Sequence, residues 1–533
     1  MNLASRIHPG KVGVFLLGLI IAGSRKHEQA TGFLLLFLLM LLVAWYKWAL
    51  FSGNIAPSGS DGGQWMAFGH QFFTGETVRA GFQFYPPIVP FAVQFTSLIT
   101  GSFAALKIVG IFTSVLVAVP VYLLLRQTLS PWLSAALAIT ATLTPFNNEF
   151  LAFGGYPQLL GTSFLLFSTY FLLMGFDTGK KRWFLAAGLA ASATVGSNVL
   201  PAFLLVTTSS LIALLFFHKM WHQNRAILFR RFRTGLLWWF LPSIILSLPF
   251  IGTYSAYLST TVSSTATPTQ LTLMEMAGWA NSAWLSEFVL WAGLAGIVGC
   301  FLILLGKAFF NNQVILTYAS VTLLSATIIG VLLIRELRLL GFVEIGLILT
   351  MSFIPRVLDS LSTFLKARQY LSRLIIIFTL ALVLIVGTVG HRRLLIAYDW
   401  YHLVDTPVLA AFDWLRDNGD RGSIVVTTGS DRGHNYGWWI EGYSHLPAYT
   451  AGDPLLFFSN EERGQVELAQ AILIEDTSPL DIRALANENK IRFLFLDKET
   501  LERRLIDLYR AGFMKRFEND AILIMENKAH IDN

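Results

Sequence analysis

Residues 31–51 read TGFLLLFLLMLLVAWYKWALF, and residues 58–65, SGSDGGQW, follow six residues later. The first stretch is a near-continuous apolar run of the length that a helix needs to cross hydrocarbon. The second puts a carboxylate, Asp61, among glycines just beyond the end of that run. Comparable apolar stretches recur at about 105–125, 130–146, 158–175, 183–196, 199–217, 235–256, 286–306, 314–334, 339–354 and 374–390. The pattern predicts a multi-span α-helical membrane protein of about eleven transmembrane helices. Composition agrees: of 533 residues 54% are hydrophobic and only 14% charged, against about 25% charged in soluble domains. A single cysteine, Cys300, excludes a disulfide framework or a cysteine-based metal site.

Charge is divided unevenly along the chain. Residues 1–390 hold 23 Lys/Arg and 10 Asp/Glu, a net of +13, whereas residues 391–533 hold 16 and 23, a net of −7. The basic balance therefore belongs to the membrane part and predicts no nucleic-acid partner. Basic residues crowd every second linker: Arg25/Lys26, Arg126, Lys180/Lys181/Arg182, Lys219 with Arg225, Arg230, Arg231 and Arg233, Lys307, and Arg356 to Arg373. The positive-inside rule assigns these linkers to the cytoplasm. It leaves the N-terminus inside and the C-terminal part outside, as expected for a cell-membrane protein.

The same parity decides two doubtful stretches. Residues 86–102 are expected to lie on the outer surface as a juxtamembrane helix. Residues 183–217 are expected to cross and return, turning at Gly196-Ser197-Asn198. The short apolar run 12–23 suits an interfacial segment. Three regions follow: an N-terminal segment 1–30, a transmembrane domain 31–390 with an outer loop at 52–104, and a soluble exocytoplasmic domain 391–533. In that last region the periodicity predicts helices at 407–418, 461–473, 479–487 and 498–511. Strands are expected at 423–428, 491–496, 514–518 and 521–526, giving a C-terminal α/β domain without a Gly-rich phosphate loop.

Acids are scarce in the first 390 residues, and one beside hydrocarbon is costly unless it is paired or used. Asp61 reads either as a turn aspartate or as a general base able to deprotonate a hydroxyl, with the glycines around it allowing a ligand close approach. Asn147, Asn148 and Glu149 form a polar second outer loop that continues through Gly154-Gly155-Tyr156-Pro157-Gln158. Tyr85 and Tyr156 suit the aromatic belt. Arg335, Glu336 and Arg338 break the positive-inside trend, and arginine matches phosphate oxygens in bidentate fashion. Glu344, inside a span, is expected to pair with one of those arginines. His391, Arg392 and Arg393 read as interfacial anchors, and His70 as a surface histidine within reach of a ligand. In Trp438-Trp439-Ile440-Glu441-Gly442-Tyr443, aromatics beside an acid suit stacking on sugar rings, with Trp439 and Glu441 the candidates, or packing onto the domain core.

Taken together these residues resemble the glycosyltransferase C (GT-C) superfamily, which includes protein O-mannosyltransferases, bacterial aminoarabinose transferases and oligosaccharyltransferase catalytic subunits. The resemblance rests on the first-loop acid Asp61, the Tyr85-Pro86-Pro87 step, the acidic second loop with Glu149, and an outer C-terminal domain. It implies a transferase that moves a sugar from a polyprenyl-phosphate donor to a glycan, lipid or protein acceptor at the bilayer surface. Asp61 would be the base, Glu149 would assist with substrate or a possible divalent cation, and Arg335 or Arg338 would hold the lipid phosphate. The first loop lacks the Asp-Glu pair of the O-mannosyltransferases, and Trp438–Tyr443 departs from the Trp-Trp-Asp-Tyr-Gly motif of oligosaccharyltransferase. Sequon recognition is therefore not implied. The alternatives are a non-catalytic protein of the same fold that binds lipid or polysaccharide, and a transporter, the latter opposed by the scarcity of mid-span charge.

Overall fold

In a computed structural model the described residues are 28–59, 61–75, 85–223, 225–250, 297, 314–334, 337–351, 353–354, 368–430, 434–451, 460–500 and 504–530. The expected span 286–306 lies almost wholly outside them, as do Arg335, Glu336 and the run 12–23. The chain opens with helix α1 (Glu28–Phe51). A short α2 (Asp61–Thr74) and an amphipathic α3 (Ile88–Thr100) follow. Next come α4 (Ser102–Leu116), α5 (Ala118–Leu125) and α6 (Pro131–Leu143). α4 and α5 form one span, broken where Pro120 cannot donate to the carbonyl of Leu116.

α7 (Pro145–Phe153) is nine residues long with defined ends. Thr144 caps it by accepting the Asn147 N–H, Pro145 occupies the first turn, and Gly154 closes it at φ 99°. The long α8 (Tyr156–Thr178) runs back through the bundle to α9 (Lys181–Val195) and α10 (Val199–Gln223). The break at 196–198 falls where the basic flanks required a return. α11 (Arg225–Gly235) runs through a π turn, Leu236–Phe240, into further helix at 241–250. The set is completed by α12 (Val314–Ile334), α13 (Leu340–Met351) and α14 (Arg368–Trp400). Among the described residues, five helical segments are long and apolar enough to cross a membrane, including Ala30–Phe51, Ser102–Leu125 and Leu374–Trp400. α14 is unbroken over 33 residues and carries on well past 390, so it leads directly into the C-terminal sheet domain.

That domain comprises α15 (Thr406–Asn418), β1 (Ile424–Thr427), β2 (Ala448–Thr450), α16 (Asn460–Leu473), α17 (Pro479–Glu488), β3 (Ile491–Asp497), α18 (Leu505–Arg510), β4 (Phe513–Glu518) and β5 (Ile522–Asn527). The sheet order is β2-β1-β3-β5-β4; β2, β1 and β3 are parallel, and β5 pairs antiparallel with both β3 and β4. The strand β2 and the helical segment 437–444 were not expected from sequence, and the helix expected at 498–511 is described only over Leu505–Arg510.

Among the described residues three apolar cores can be distinguished. One fills the helical bundle. A second is continuous from Phe51, Trp65 and Phe68 through Phe150 and Trp439 to Phe412 and Phe493 of the soluble domain. The third lies on the opposite face of the sheet. Because the second core is shared, the soluble domain is seated on the bundle by hydrophobic burial rather than tethered to it.

Candidate active site at the junction of the loops and the soluble domain

Asp61 is the first residue of α2 and is half-buried. Its position follows from close packing on both sides of a glycine-rich turn. Gly59, at φ 97°, lies so close to the Phe153 carbonyl that an added Cβ would meet its oxygen at 2.2 Å. The Ser58 hydroxyl donates to the Ala152 carbonyl at 2.7 Å and the Trp65 indole to the Gly154 carbonyl at 2.7 Å. A Cβ on Gly154 would sit 2.9 Å from the Cβ of Asp61. The first loop is thereby pinned onto the loop between α7 and α8.

On its other side the turn carries the soluble domain. Trp439 is fully buried and donates its indole N–H to the Gly59 carbonyl at 3.1 Å. Its ring would lie 2.9 Å from a Cβ on Gly62, and the Trp438 backbone 2.5 Å from one on Gly63. Gly442 approaches the Gly63 carbonyl in the same way. Gly62 and Gly63, which the sequence suggested would admit a ligand, instead admit the tryptophans of the soluble domain. Trp439 cannot stack on a sugar. Glu441, 1% exposed, accepts the Ala448 N–H at 3.1 Å. Both serve the joint.

Glu149 is buried too. Its carboxylate takes the Arg393 Nε–H at 2.6 Å and the Tyr401 hydroxyl at 2.9 Å. Arg393 is thus an ion-pair partner rather than a plain anchor, and the clasp ties α7 to α14. Burial raises the Tyr401 phenol well above its usual range, and the nearby charges of Glu149 and Asp61 raise it further. Tyr401 therefore stays a hydrogen-bond donor, and its backbone carbonyl takes the Gly59 N–H at 2.8 Å. Of the three acids Asp61, Glu149 and Glu441, only Asp61 keeps access to solvent.

The remaining candidates are spread around this centre. Tyr156 is fully buried, its ring against Gly110. Gln158, two residues further on, donates to the Arg338 carbonyl at 3.2 Å. The first turn of α8 thus links the loop against Asp61 to the segment bearing Arg338, which is half-buried. Asn148 holds the Gly390 carbonyl at 2.8 Å. Tyr85 lies against Trp65 and Phe68, with ring centroids 5.0 and 5.3 Å apart. His70 stacks on His445 at 4.2 Å, across the joint. Glu344 is fully buried beside the Thr144 hydroxyl and the Phe146 backbone at the start of α7, not beside Arg338.

Sequence reading missed one group. Lys47, near the end of α1, is fully buried and donates to the Ser114 hydroxyl, the Thr142 carbonyl at 2.8 Å and Asn147 Oδ1 at 2.9 Å. Asn147 in turn donates to the Ser114 carbonyl at 2.9 Å. No cluster of three His, Cys, Asp or Glu side chains suited to a metal occurs among the described residues. Glu149, engaged by Arg393 and Tyr401, is not left free to join Asp61 in holding a cation.

No protein-family profile matches the chain, and no curated protein matches it in sequence. Solved structures do match in fold. The oligosaccharyltransferase of Archaeoglobus fulgidus in its apo form aligns with a TM-score of 0.61 at 12% identity, covering 95% of this chain and 75% of its own. ArnT from Cupriavidus metallidurans in the apo state aligns with a TM-score of 0.57 at 12% identity, over 94% of this chain and 99% of its own. The archaeal enzyme AglB, in complex with an inhibitory peptide and a dolichol-phosphate, gives 0.55 at 13% identity, over 90% and 70%. Across essentially its whole length, the chain has the fold of the GT-C membrane glycosyltransferases.

Proposed function

We propose that the chain is a membrane glycosyltransferase that moves a sugar from a polyprenyl-phosphate donor to an acceptor hydroxyl at the outer face of the membrane. The observation that carries this is the placement of Asp61. It is the one of Asp61, Glu149 and Glu441 that keeps solvent access, at the seam where the first loop, the second loop and the C-terminal domain meet. Asp61 would take the proton of the acceptor hydroxyl as its oxygen attacks the anomeric carbon. The bond from that carbon to the lipid phosphate would break, with inversion, and the phosphate would leave carrying the electron pair. Arg338, held near the same turn of α8 through Gln158, and Arg335 would stabilise the departing phosphate. The likeness to ArnT, which has also been solved bound to undecaprenyl phosphate, supports a polyprenyl carrier.

The test is transfer from labelled polyprenyl-phosphate sugars by the purified protein in vesicles. The wild type transfers label, and Asp61→Asn loses at least a hundredfold in rate with an unchanged melting temperature. Unchanged transfer by Asp61→Asn rejects the base assignment. A second reading, a non-catalytic protein of this fold that binds lipid or polysaccharide, draws on the internal engagement of Glu149 and Glu441. It gains if the wild type transfers from no lipid-linked donor.

A further inference from the structure

α8 separates the Asp61 end of the bundle from its opposite end by about 34 Å, at about 1.5 Å per residue. Four helix termini meet at that far end: α8 finishes at Thr178, α9 starts at Lys181, α10 finishes at Gln223 and α11 starts at Arg225. Between residues 176 and 240 the sequence holds eight Lys/Arg and one carboxylate, Asp177. α11 runs alongside α9, with Gly235 against Phe184 and Gly188 against Trp239. Its first two turns therefore project past the start of α9. Arg231 fixes that register by donating to the Phe176 carbonyl.

Indoles are interleaved with the cations. The Arg225 guanidinium lies 4.3 Å over Trp221, Arg182 5.1 Å over Trp183, and the Lys181 ammonium 5.4 Å over Trp238. The exposed basic groups grade into an exposed apolar surface that includes Phe229, Leu236, Leu237 and Phe240. A soluble acidic partner would meet the charges but leave that surface bare. A bilayer covers both at once, with headgroup phosphates level with the indoles.

We infer that Lys180, Lys181, Arg182, Arg225, Arg230 and Arg233 form a collar that binds the phosphate groups of anionic phospholipids at the end of the bundle remote from Asp61. The collar goes beyond alternating loop charge because its cations come from two adjacent helices, three of them (Lys181, Arg182 and Arg225) lie over indole faces, and together they surround a fixed helix register. Occupied by lipid, it would brace the α8–α11 end without touching the transfer site.

The experiment uses the full-length protein in zwitterionic detergent, titrated with phosphatidylglycerol, phosphatidylcholine or inorganic phosphate. Bound lipid is counted by native mass spectrometry, and the melting temperature is recorded. Phosphatidylglycerol is retained and raises the melting temperature; phosphatidylcholine and millimolar phosphate do neither. The triple variant Arg225→Gln/Arg230→Gln/Arg233→Gln weakens phosphatidylglycerol retention by about a hundredfold, each cation near an anionic surface contributing roughly a factor of five. Should that variant not fold, Lys180→Gln/Lys181→Gln/Arg182→Gln, on a surface turn, gives the same readout. Arg392→Gln, an exposed change at the Asp61 end, leaves retention intact. Equal retention of both lipids by the wild type overturns the inference, as does undiminished preference in both triple variants.

Discussion

Gly63→Ala is the sharpest probe of how Asp61 is held. An added methyl would stand 2.5 Å from the carbonyl carbon and oxygen of Trp438 and from the Trp439 nitrogen. These are backbone atoms and cannot swing aside. Ordinary contact begins at 3.4 Å, so the segment 437–444 and α2 must part by about 1 Å. Overfilling a packed seam costs about 1–3 kcal/mol. Stretching the hydrogen bond from Trp439 to the Gly59 carbonyl adds about 1 kcal/mol. The expected loss is therefore about 2–4 kcal/mol. Gly53→Ala is the control, because nothing lies within 4 Å of the position its methyl would take, and it should shift stability by less than about 0.5 kcal/mol. Thermal unfolding in detergent measures the loss, and amide exchange at residues 437–444 locates it. If Gly63→Ala melts with the wild type and exchange there is unchanged, the glycine seam does not hold the soluble domain on α2. In that case the placement of Asp61 needs another cause.

Two further outcomes follow from buried and partnered charges. Arg393→Gln leaves the Glu149 carboxylate, 5% exposed, with Tyr401 as its remaining partner. Breaking a buried pair costs about 3–5 kcal/mol, reduced here to roughly 2–3 because the Arg393 side chain is 24% exposed. The double variant with Glu149→Gln should recover at least half of that in a mutant cycle, and a strictly additive cycle would show that the clasp is energetically idle. In the soluble domain, hydrogen bonding from the Ser423 hydroxyl and the adjacent Arg492 guanidinium hold the Asp420 carboxyl below its usual range. A group lowered in this way stabilises the fold above its unfolded pKa of about 3.9, and that contribution is lost as pH falls through the lower folded value. Asp420→Asn should therefore lower the melting temperature at neutral pH and flatten its decline below about pH 4. A parallel decline in both proteins would refute the linkage.

A multi-span helical architecture was legible because hydrocarbon imposes a length and an apolarity on a helix; of the eleven expected spans, five helices among the described residues are long and apolar enough to cross. The helix break at 196–198 was legible because both flanks of 183–217 are basic. The extents of α15, α17, β3 and β5 were readable from apolar periodicity; in the structure Asp405 and Ser478 cap the two helices and Asn519 closes the turn into β5. The contents of the site were less readable. Glu149 looked available because its partners, Arg393 and Tyr401, lie 244 and 252 residues away, and no local pattern reports such a pairing. Trp438-Trp439 fitted either ligand stacking or packing, and shared burial with α2 resolved the choice for Trp439. Gly62 and Gly63 carried the right signal, close approach, with the wrong visitor. Asp61 and the first-loop glycines were found because a charge at the end of a 20-residue apolar run stands out without any tertiary information.

Lys47 has a consequence for how the chain is made. Its three acceptors, on Ser114, Thr142 and Asn147, are synthesised 67, 95 and 100 residues after it. When α1 leaves the translocation channel its ammonium has no protein acceptor at hand, and lodging a lysine deep in lipid is unfavourable by a few kcal/mol. Being four residues from the helix end, it can reach up to interfacial water while it waits. α1 thus rests at a provisional depth and settles only when α4, α6 and α7 have emerged and closed around it. Biogenesis of this protein has a built-in order, written by one side chain that must be met by later arrivals.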